Sequence, residues 1–241
     1  MLSKNEVKYI QSLCHKKQRQ EDNVFVVEGP KQMEEVLAAN FSVKKIYALP
    51  EWIADNAGIT NVTEITPDEL HKISNQQTPN KVLAVVEQPA HTEEPAYKDC
   101  VSILLDGIQD PGNMGTILRI ADWFGIQQVI CSKDTVDVYN PKVIQSTMGS
   151  FTRVKVWYKD LNDVLKNANV PVFGALLTGE SIYGIPKISE GILLIGNEGN
   201  GIRKENISYI THPVTIPKMG GAESLNAGIA TGIIVAHLVG R

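Results

Sequence analysis

The residues best suited to chemistry lie in three short segments of the second half of the chain. The first segment, NMGTILRIADWFG, follows a predicted strand, VSILLD, and is expected to be a helix capped by Asn113. Arg119 lies six residues further along, on about the same face of that helix, near the strand end where α/β folds bind ligands. We therefore expect Arg119 to face a ligand, and the alternative is a surface ion pair with Asp122 or Asp106.

The second segment, ILLIGNEGNGI, turns from a predicted buried strand into a loop of glycine, asparagine and glutamate. Its glycines at 196, 199 and 201 have the spacing G-x-x-G-x-G, which matches neither the dinucleotide fingerprint nor the phosphate-binding P-loop. Glycines after a buried strand indicate a close approach of the main chain to a ligand or, alternatively, a sharp turn required for packing. Glu198 within the loop disfavours a triphosphate as that ligand.

The third segment, IPKMGGAESLNAGIATGIIVAHL, joins a predicted strand to a long helix through a glycine-rich loop. Ser224 is expected to cap this helix, and Asn226 lies in its predicted first turn, where a polar side chain would do little in a purely structural helix. The helix is apolar nearly all round and rich in small residues. It is therefore expected to be buried on most sides, partly at a subunit interface.

Alternating strands and helices position these segments. From Val101 onward the predicted strands are VSILLD, QQVICS, RVKVWY, VPVFGALL, GILLIG and HPVTI. Their alternation with helices and loops is typical of an α/β fold with a mostly parallel sheet and helices on both faces. Residues 1 to about 90 are predicted to form a smaller α/β unit, followed by the linker PAHTEEPAY. The sequence thus predicts two domains, 1–92 and 98–241.

The composition restricts the class of protein. The 241 residues carry a net charge of −4, and no apolar run is long enough for a transmembrane helix. The N-terminus does not resemble a signal peptide. Three widely separated cysteines predict neither a disulfide framework nor a metal site, so a cytoplasmic protein without bound metal is expected.

Two basic stretches interrupt this acidic chain. Residues 1–19 carry five Lys or Arg side chains against one Glu, and residues 138–159 carry four without an acid. Such stretches contact phosphates or form a solvated surface, and two of them in one acidic chain favour a polyanionic partner. The candidate contacts are Lys16, Lys17, Arg19, Lys142 and Arg153.

The three segments together resemble the SpoU (TrmH-like) family of ribose 2′-O-methyltransferases, within the SPOUT class of RNA methyltransferases. The segments NMGTILRIADWFG, LIGNEGNGI and IPKMGGAESLNAGIATGIIVAHL look like its three motifs, in order, within residues 101–241. The N-terminal region, with FVVEGPKQMEEVL, is more loosely similar to the substrate-binding domain of many members. That domain resembles small α/β ribosomal proteins that bind kinked RNA.

The resemblance implies a fold, a cofactor and a partner that spacing alone does not. It implies a deep trefoil knot in the C-terminal domain, S-adenosylmethionine as the cofactor, and a homodimer formed by that domain. It also implies an RNA substrate, ribosomal RNA more than transfer RNA, and neither a membrane nor a metal. The cofactor contacts that it implies are Leu176, Thr178, Gly196, Asn197, Gly201, Ile216, Met219, Leu225 and Asn226.

The resemblance also assigns roles in methyl transfer. It places Arg119 beside the ribose 2′-hydroxyl, where an arginine is expected to bind a phosphate and stabilise the developing alkoxide rather than act as a base. Asn113 would fix the arginine or the ribose, and Glu198, Ser224 and Asn226 would hold the loops and the substrate. An inactive RNA-binding or ribosome-assembly factor of the same fold is the alternative. The glycine order disfavours a third candidate, an NAD-dependent oxidoreductase.

Overall fold

The computed structural model describes residues 1–90 and 93–240, which form two compact units. The first unit is Met1–Thr92 together with Asp137–Thr152, and the second is Glu93–Val136 together with Arg153–Arg241. His91 and Thr92 of the predicted linker, and the C-terminal Arg241, lie outside the described residues. The segment Asp137–Thr152, which follows the linker in the sequence, therefore packs with the first unit.

A mixed four-stranded sheet forms the centre of the first unit. Its strands are β1 Val24–Glu28, β2 Val43–Ala48, β3 Val62–Glu64 and β4 Val82–Glu87, and the helices are α1 Lys4–Ser12, α2 Lys16–Asp22, α3 Pro30–Ala38, α4 Pro50–Asp55 and α5 Pro67–Ile73. The strand order is β1-β4-β2-β3, with β4 antiparallel to both neighbours and β2 parallel to β3. Alternate residues of β1 enter two apolar clusters, Phe25 with Met33 of α3 and Val26 with Ile10 of α1. The sheet is therefore covered on both faces.

Capping side chains define two helices of this unit. Thr66 accepts a hydrogen bond from the backbone of Glu69, whose side chain bonds back to Thr66, which is the capping box that the sequence predicts for α5. Ser3 and Glu6 form the same box at α1. The single helix predicted over EVKYIQSLCHKK is wrong. The N–H groups of residues 13–15 bond to carbonyls three residues earlier, and this tight turn separates α1 from α2.

The segment Asp137–Thr152 completes the apolar core of the first unit. It contains the helix α7, Pro141–Thr147, which buries Ile144. The turn after α7 buries Phe151 against Phe25 of β1, with the ring centroids 5.7 Å apart in an edge-to-face arrangement. Aromatic pairs of this geometry contribute about 0.5–1.5 kcal/mol beyond the area that they bury. The core of the first unit thus depends on side chains from beyond the linker.

A buried ion pair also connects the segment Asp137–Thr152 to α2 of the first unit. Asp137 accepts hydrogen bonds from the guanidinium of Arg19, which also donates to the carbonyls of Leu13 and Cys14 at 2.9 and 2.8 Å. Arg19 is only 1% exposed, and inside the unit its charge is paired with Asp137 while each guanidinium nitrogen makes a hydrogen bond. The prediction that Arg19 contacts phosphates is therefore wrong, because this side chain does not reach the surface.

The second unit contains a six-stranded sheet in which all neighbouring strands are parallel. Its strands are β5 Val101–Asp106, β6 Gln128–Ser132, β7 Lys155–Lys159, β8 Val172–Ser181, β9 Gly191–Gly196 and β10 His212–Thr215, and its α-helices are α6 Pro111–Trp123, α8 Leu161–Asn167, α9 Lys204–Ile207 and α10 Ala227–Leu238. The strand order is β10-β8-β9-β5-β6-β7. The predicted α/β fold with a parallel sheet and a small N-terminal unit is confirmed, and the trefoil knot stays a prediction of the resemblance.

None of the helices within residues 1–90 and 93–240 has the length and hydropathy needed to span a bilayer. In the same described part of the chain, no three His, Cys, Asp or Glu side chains are grouped so that they could hold a metal ion.

Candidate active site

The carboxyl ends of β5 and β9 lie side by side at the centre of the parallel sheet. Asp106, the last residue of β5, is opposite Gly196, the last residue of β9. The loops that follow are joined where Asn197 Nδ2 donates to the carbonyl of Gly107 at 2.7 Å. From β5, the chain first adds β6 and β7 on one side and then places β8, β9 and β10 on the other side. The direction in which the sheet grows therefore reverses between β5 and β9. Such a reversal is the position at which open α/β sheets bind ligands.

The glycine-rich loop, residues 196–201, is held in shape by its own hydrogen bonds. Asn197 exchanges backbone hydrogen bonds with Gly201, and its side-chain Oδ1 accepts from the N–H groups of residues 199 and 200. A side chain at Gly196 would clash with the backbone at the far end of the loop. The requirement for glycine at 196 therefore arises from the turn itself, which is the packing alternative that the sequence left open. Contact of this loop with a cofactor stays a prediction.

A chain of three polar side chains links the three segments singled out in the sequence. Asn226 Nδ2 donates to Asn113 Oδ1 at 2.6 Å, and Asn113 Nδ2 donates to Glu198 Oε1 at 2.5 Å. Asn226 Oδ1 in turn accepts from the backbone N–H of Ile229 at 3.1 Å. The buried side chain of Asn113 thus connects the glycine-rich loop with the start of α10. Its hydrogen bond to Glu198 has a charged acceptor, and such bonds are stronger than those between neutral groups.

The helices of the site begin at residues other than those predicted. Asp110 caps α6, since its Oδ1 accepts from the N–H of Asn113 at 2.8 Å and Pro111 occupies the first turn. Asn226 caps α10, and Ser224 lies exposed in the loop before it. The predicted caps Asn113 and Ser224 are therefore wrong. The side chain of Asn113, which is not needed for capping, is available to the polar chain.

Arg119 is an exposed cation on α6 that has no ion pair or hydrogen bond within the described residues. The two carboxylates offered as its alternatives, Asp122 and Asp106, bind other arginines at 2.9 and 3.3 Å. The prediction that Arg119 shares a face with Asn113 is wrong, because six residues of α-helix end about 240° round from the starting direction. Asn113 accordingly faces the interior and Arg119 faces solvent, where its charge can bind an anion.

An ion-pair cluster that the sequence did not indicate fixes the chain after the glycine-rich loop. Arg203 contacts the carboxylates of Asp106 and Asp134, and its backbone N–H donates to Asp106 at 2.8 Å. Asn206 Nδ2 donates to the same oxygen of Asp106 at 3.0 Å. The hydrogen bond from Arg203 lowers the pKa of Asp134, so this carboxyl stays ionised. In the sequence, Asp106 at the end of β5 was the only signal of this cluster, because its partner Arg203 lies nearly a hundred residues later.

The strands β8 and β9 stop pairing before their carboxyl ends. Their last paired residues are Gly174 and Leu194. β8 then continues alongside β10, whose Thr215 Oγ1 donates to the carbonyl of Leu177 at 3.2 Å. Main-chain groups beyond this point are not used between β8 and β9. A ligand placed between the two strands at this point would meet main-chain groups that the pairing of β8 with β9 leaves unused.

The predicted cofactor contacts come from the segments around this separation. Leu176 and Thr178 follow the last residue of β8 that pairs with β9, and Ile216 follows β10 directly. In the loop between β10 and α10, Met219 and Leu225 are 97% and 47% exposed. Exposed apolar side chains in a loop beside unpaired strand ends suit a ligand with both apolar and hydrogen-bonding parts. Gly196, Asn197, Gly201 and Asn226 belong to the neighbouring loop and cap described above.

The remaining predicted phosphate contacts lie on the surface. Lys142 is exposed on α7, and it forms no ion pair within residues 1–90 and 93–240. Lys17 pairs with a glutamate one turn later at 3.7 Å, and Arg153 pairs with Asp122 at 2.9 Å. Exposed pairs contribute about 0–1 kcal/mol, so both side chains can exchange a carboxylate for a phosphate. Lys16 is exposed on α2.

Two family models match this chain. Residues 100–236 match the model of the SpoU rRNA Methylase family, and residues 4–84 match that of the MRM3-like substrate binding domain. The chain is 33% identical to the 23S rRNA (guanosine(2553)-2'-O)-methyltransferase RlmP of Bacillus subtilis, over 99% of this chain and 98% of the relative.

Solved structures with similar folds cover both units. A TrmH-family protein from Porphyromonas gingivalis has a TM-score of 0.87 and 38% identity, over 99% of this chain and 98% of that chain. An AdoMet-bound rRNA methyltransferase from Sinorhizobium meliloti has a TM-score of 0.87 and 29% identity, over 99% and 95%.

The parallel α/β sheet, the three segments that meet at its carboxyl edge and the similar solved structures define the class, that of the SPOUT proteins. Within that class, the chain belongs to the SpoU rRNA methylase family. The resemblance inferred from the sequence is confirmed.

Proposed function

We propose that the chain is an S-adenosylmethionine-dependent methyltransferase that modifies a ribose 2′-hydroxyl in 23S ribosomal RNA. The observation that carries this proposal is the hydrogen-bonded chain Asn226–Asn113–Glu198, whose central residue lies on α6, the helix that also presents the unpaired cation Arg119. Similarity over nearly the whole length to a 23S rRNA 2′-O-methyltransferase supports the substrate. An enzyme of this kind would act in the cytoplasm, where ribosomal RNA is assembled and three free cysteines remain reduced.

The residues around the separated strands β8 and β9 fit S-adenosylmethionine. Main-chain groups not paired between these strands beyond Gly174 can read the adenine edge without a charged side chain. Leu176, Met219 and Leu225 would cover the apolar parts of the cofactor, and Thr178 would supply a hydroxyl. When bound, S-adenosylmethionine supplies a methyl group on a positively charged sulfur, ready for in-line attack. The protein's part is then mainly to place the acceptor hydroxyl.

Arg119 supplies positive charge to the substrate. An arginine side chain stays protonated in proteins, so it cannot take the proton of a 2′-hydroxyl. Its planar guanidinium instead binds a phosphate next to the target ribose and stabilises the negative charge that develops on the attacking oxygen. The hydroxyl proton leaves to water. This role requires a guanidinium without an internal partner, as Arg119 has.

Asn113, Glu198 and Asn226 act as positioning residues. Their hydrogen bonds fix the first turn of α6, the glycine-rich loop and the start of α10 relative to one another. A shift of about 1 Å in such a constellation can cost about a hundredfold in rate. Ser224, which is exposed in the loop before α10, stays a predicted contact for the substrate.

We extend the proposal to a homodimer formed through α6 and α10. These helices pack closely, because a side chain added at Gly228 would lie 3.0 Å from Thr116. Trp123 and Ile229 on the same two helices are 84% and 55% exposed, and exposed apolar area of this kind is usually covered by a partner. Light scattering should find a dimer that Trp123→Glu dissociates. A monomeric wild-type protein at micromolar concentration would contradict this part of the proposal.

Loss and restoration of one modification tests the activity. Mass spectrometry of ribosomal and transfer RNA from a strain lacking the gene should show one missing 2′-O-methyl group, in 23S rRNA. Purified wild-type protein with S-adenosylmethionine should restore it on the isolated rRNA. An unchanged modification pattern, together with no methyl transfer in vitro, would instead support the inactive RNA-binding factor.

A further inference from the structure

Three glutamine side chains meet on the first unit. Gln145 Oε1 accepts hydrogen bonds from Gln32 Nε2 at 3.1 Å and from Gln76 Nε2 at 3.0 Å. Gln145 lies on α7, Gln32 in the first turn of α3, and Gln76 in the loop after α5. We call these three residues the glutamine cluster. No local sequence pattern brings them together.

The glutamine cluster leaves both donors and acceptors unused. The Nε2 group of Gln145 and the Oε1 atom of Gln76 have no hydrogen-bond partner within the described residues. The Oε1 atom of Gln32 is also without a partner there, although this side chain is only 3% exposed. A buried acceptor left without a donor costs about 1–3 kcal/mol. Because Gln32 Oε1 is buried, the groups of the cluster that a ligand can reach are the Nε2 of Gln145 and the Oε1 of Gln76.

A buried carboxylate fixes the loop that carries Gln76. Glu28, at the end of β1, accepts hydrogen bonds from Ser74 Oγ and from the backbone and side-chain N–H groups of Asn75, the latter two at 3.0 and 3.3 Å. Ser74 Oγ accepts from the N–H of Gln76 at 2.9 Å. The loop is thus ordered before any ligand arrives, which reduces the entropy lost on binding.

The outer face of α7 adds a cation and a thioether to the cluster. Lys142, Gln145 and Met148 follow one another at three-residue intervals and are all exposed, whereas Val143 and Ile144 are buried. Lys142 and Gln145 are neighbours on the surface of α7, and Met148 is the left-handed residue that ends the helix. The stripe therefore offers a charge for a phosphate, an amide for a base edge and a polarisable side chain for a base face.

We propose that Gln145, Gln76 and Met148 contact unpaired bases of the RNA substrate while Lys142 binds a phosphate, and that together they help to determine which site is modified. The nature of the ligand rests on the proposed function. A carboxamide donates and accepts together, as base edges do. An A-form duplex keeps most base edges out of reach, whereas loops and single strands present them. The surface therefore selects an unpaired stretch rather than a helix.

Substitutions in the full-length protein separate the two kinds of contact. The probe is 23S rRNA from a strain lacking the gene, bound in filter assays at several salt concentrations. Gln145→Ala is expected to weaken binding about tenfold at every salt concentration, since a base contact carries no counterion release. Lys142→Ala is expected to reduce the salt slope by about one. Gln77→Ala is the matched control, because Gln77 is exposed beside Gln76 and makes no hydrogen bond within the described residues.

Methylation kinetics with the same variants distinguish this inference from the proposed function. Gln145→Ala should raise the KM for rRNA about tenfold with kcat unchanged, because the contact holds substrate and transition state equally. If Gln145→Ala and Gln76→Ala both bind and methylate like Gln77→Ala, the inference is overturned while the methyltransferase proposal stands. If the wild-type protein transfers no methyl group, the proposed function fails, and the binding comparison alone decides on the cluster.

A second measurement concerns the form of the RNA. A single-stranded oligonucleotide with the sequence around the modified site should bind more tightly than the same sequence in a duplex, and Gln145→Ala should reduce that preference. A preference for the duplex would overturn the inference. Thermal melts of Lys142→Ala and Gln77→Ala should match the wild-type protein, because these side chains are exposed and make no hydrogen bond within the described residues. Gln145→Ala should melt at a somewhat lower temperature but stay folded at the assay temperature, because it removes one acceptor from the buried Gln32 Nε2.

Discussion

Replacing Asn113 by aspartate removes one hydrogen-bond donor from the site and puts a second carboxylate in its place. In the native protein Asn113 Nδ2 donates to Glu198 Oε1 at 2.5 Å. In Asn113→Asp, two carboxylate oxygens would face each other at about 3 Å, where like charges repel by about 1.4 kcal/mol in water and by about 5.5 kcal/mol at an effective dielectric constant of about 20. Because Asn113 is buried and Glu198 is exposed, we expect a repulsion energy between these two limits, about 2–3 kcal/mol.

This energy opposes the placement of the glycine-rich loop, and it should appear in the rate of methyl transfer. We expect kcat to fall about 30- to 150-fold, since about 1.4 kcal/mol corresponds to a tenfold change. The loss should be smaller at about pH 6 than at about pH 8, because a proton shared by the two carboxyls removes the repulsion. The assay is a pH–rate profile of the variant and the wild-type protein on unmethylated rRNA.

A second substitution provides the control. In the double variant Asn113→Asp with Glu198→Gln, the new amide can donate to the new carboxylate, so the hydrogen bond is restored with its direction reversed. We expect most of the lost rate to return, with a coupling energy of about 1–3 kcal/mol in the double-mutant cycle. A single variant with a near-wild-type rate, or a double variant no faster than the single one, would refute the role assigned to this hydrogen bond.

Three further substitutions test the fold. Asp137→Ala leaves a buried guanidinium unpaired and should lower the free energy of unfolding by about 3–5 kcal/mol in urea titrations, whereas an unchanged midpoint would contradict the burial. Gly196→Val should destabilise the protein because its side chain would meet backbone, while Gly199→Ala, whose added carbon would lie 3.6 Å from the nearest atom, should not. A hydrogen bond from Lys45 lowers the pKa of Glu6 to about 2, so its stabilisation is present above about pH 4.5 and is lost as the pH falls towards 2. In Glu6→Gln, the free energy of unfolding should therefore fall less steeply between about pH 4.5 and pH 2 than in the wild-type protein. An unchanged slope in acid titrations would count against the contact.

The parallel sheet was accessible from the sequence because strands covered on both faces appear as continuous apolar runs. All six residues of VSILLD are buried in β5, and all five of QVICS are buried in β6. The order of these runs also indicated the edge at which the site forms, since carboxyl ends of parallel strands lie together.

The starting points of the helices were only partly accessible. Pro111 favours the first turn of a helix, and this rule identifies Asp110 as the cap of α6 in place of Asn113. For α10 the sequence SLN offers two capping residues two positions apart. The structure uses Asn226, whose side chain also donates a hydrogen bond to Asn113. That contact joins residues 113 positions apart, so no local pattern indicates it.

The packing of Asp137–Thr152 with the first unit could not be inferred from local patterns. The segment has the composition of a basic surface stretch, and only its contacts with Phe25 and Arg19 distinguish it. Arg19 looks the same in the sequence as its exposed neighbours Lys16 and Lys17. Its burial depends on a carboxylate 118 residues later.

Single-turnover methyl transfer by Arg119→Ala, with titration of S-adenosylmethionine into the same sample, tests the central claim most directly. The account predicts a rate lower by at least about a hundredfold with cofactor affinity within about twofold of the wild-type protein, because the guanidinium acts on the substrate alone. Arg119→Lys should recover only part of the rate, since an ammonium lacks the planar fork that binds phosphate. Near-normal transfer by Arg119→Ala would contradict the account.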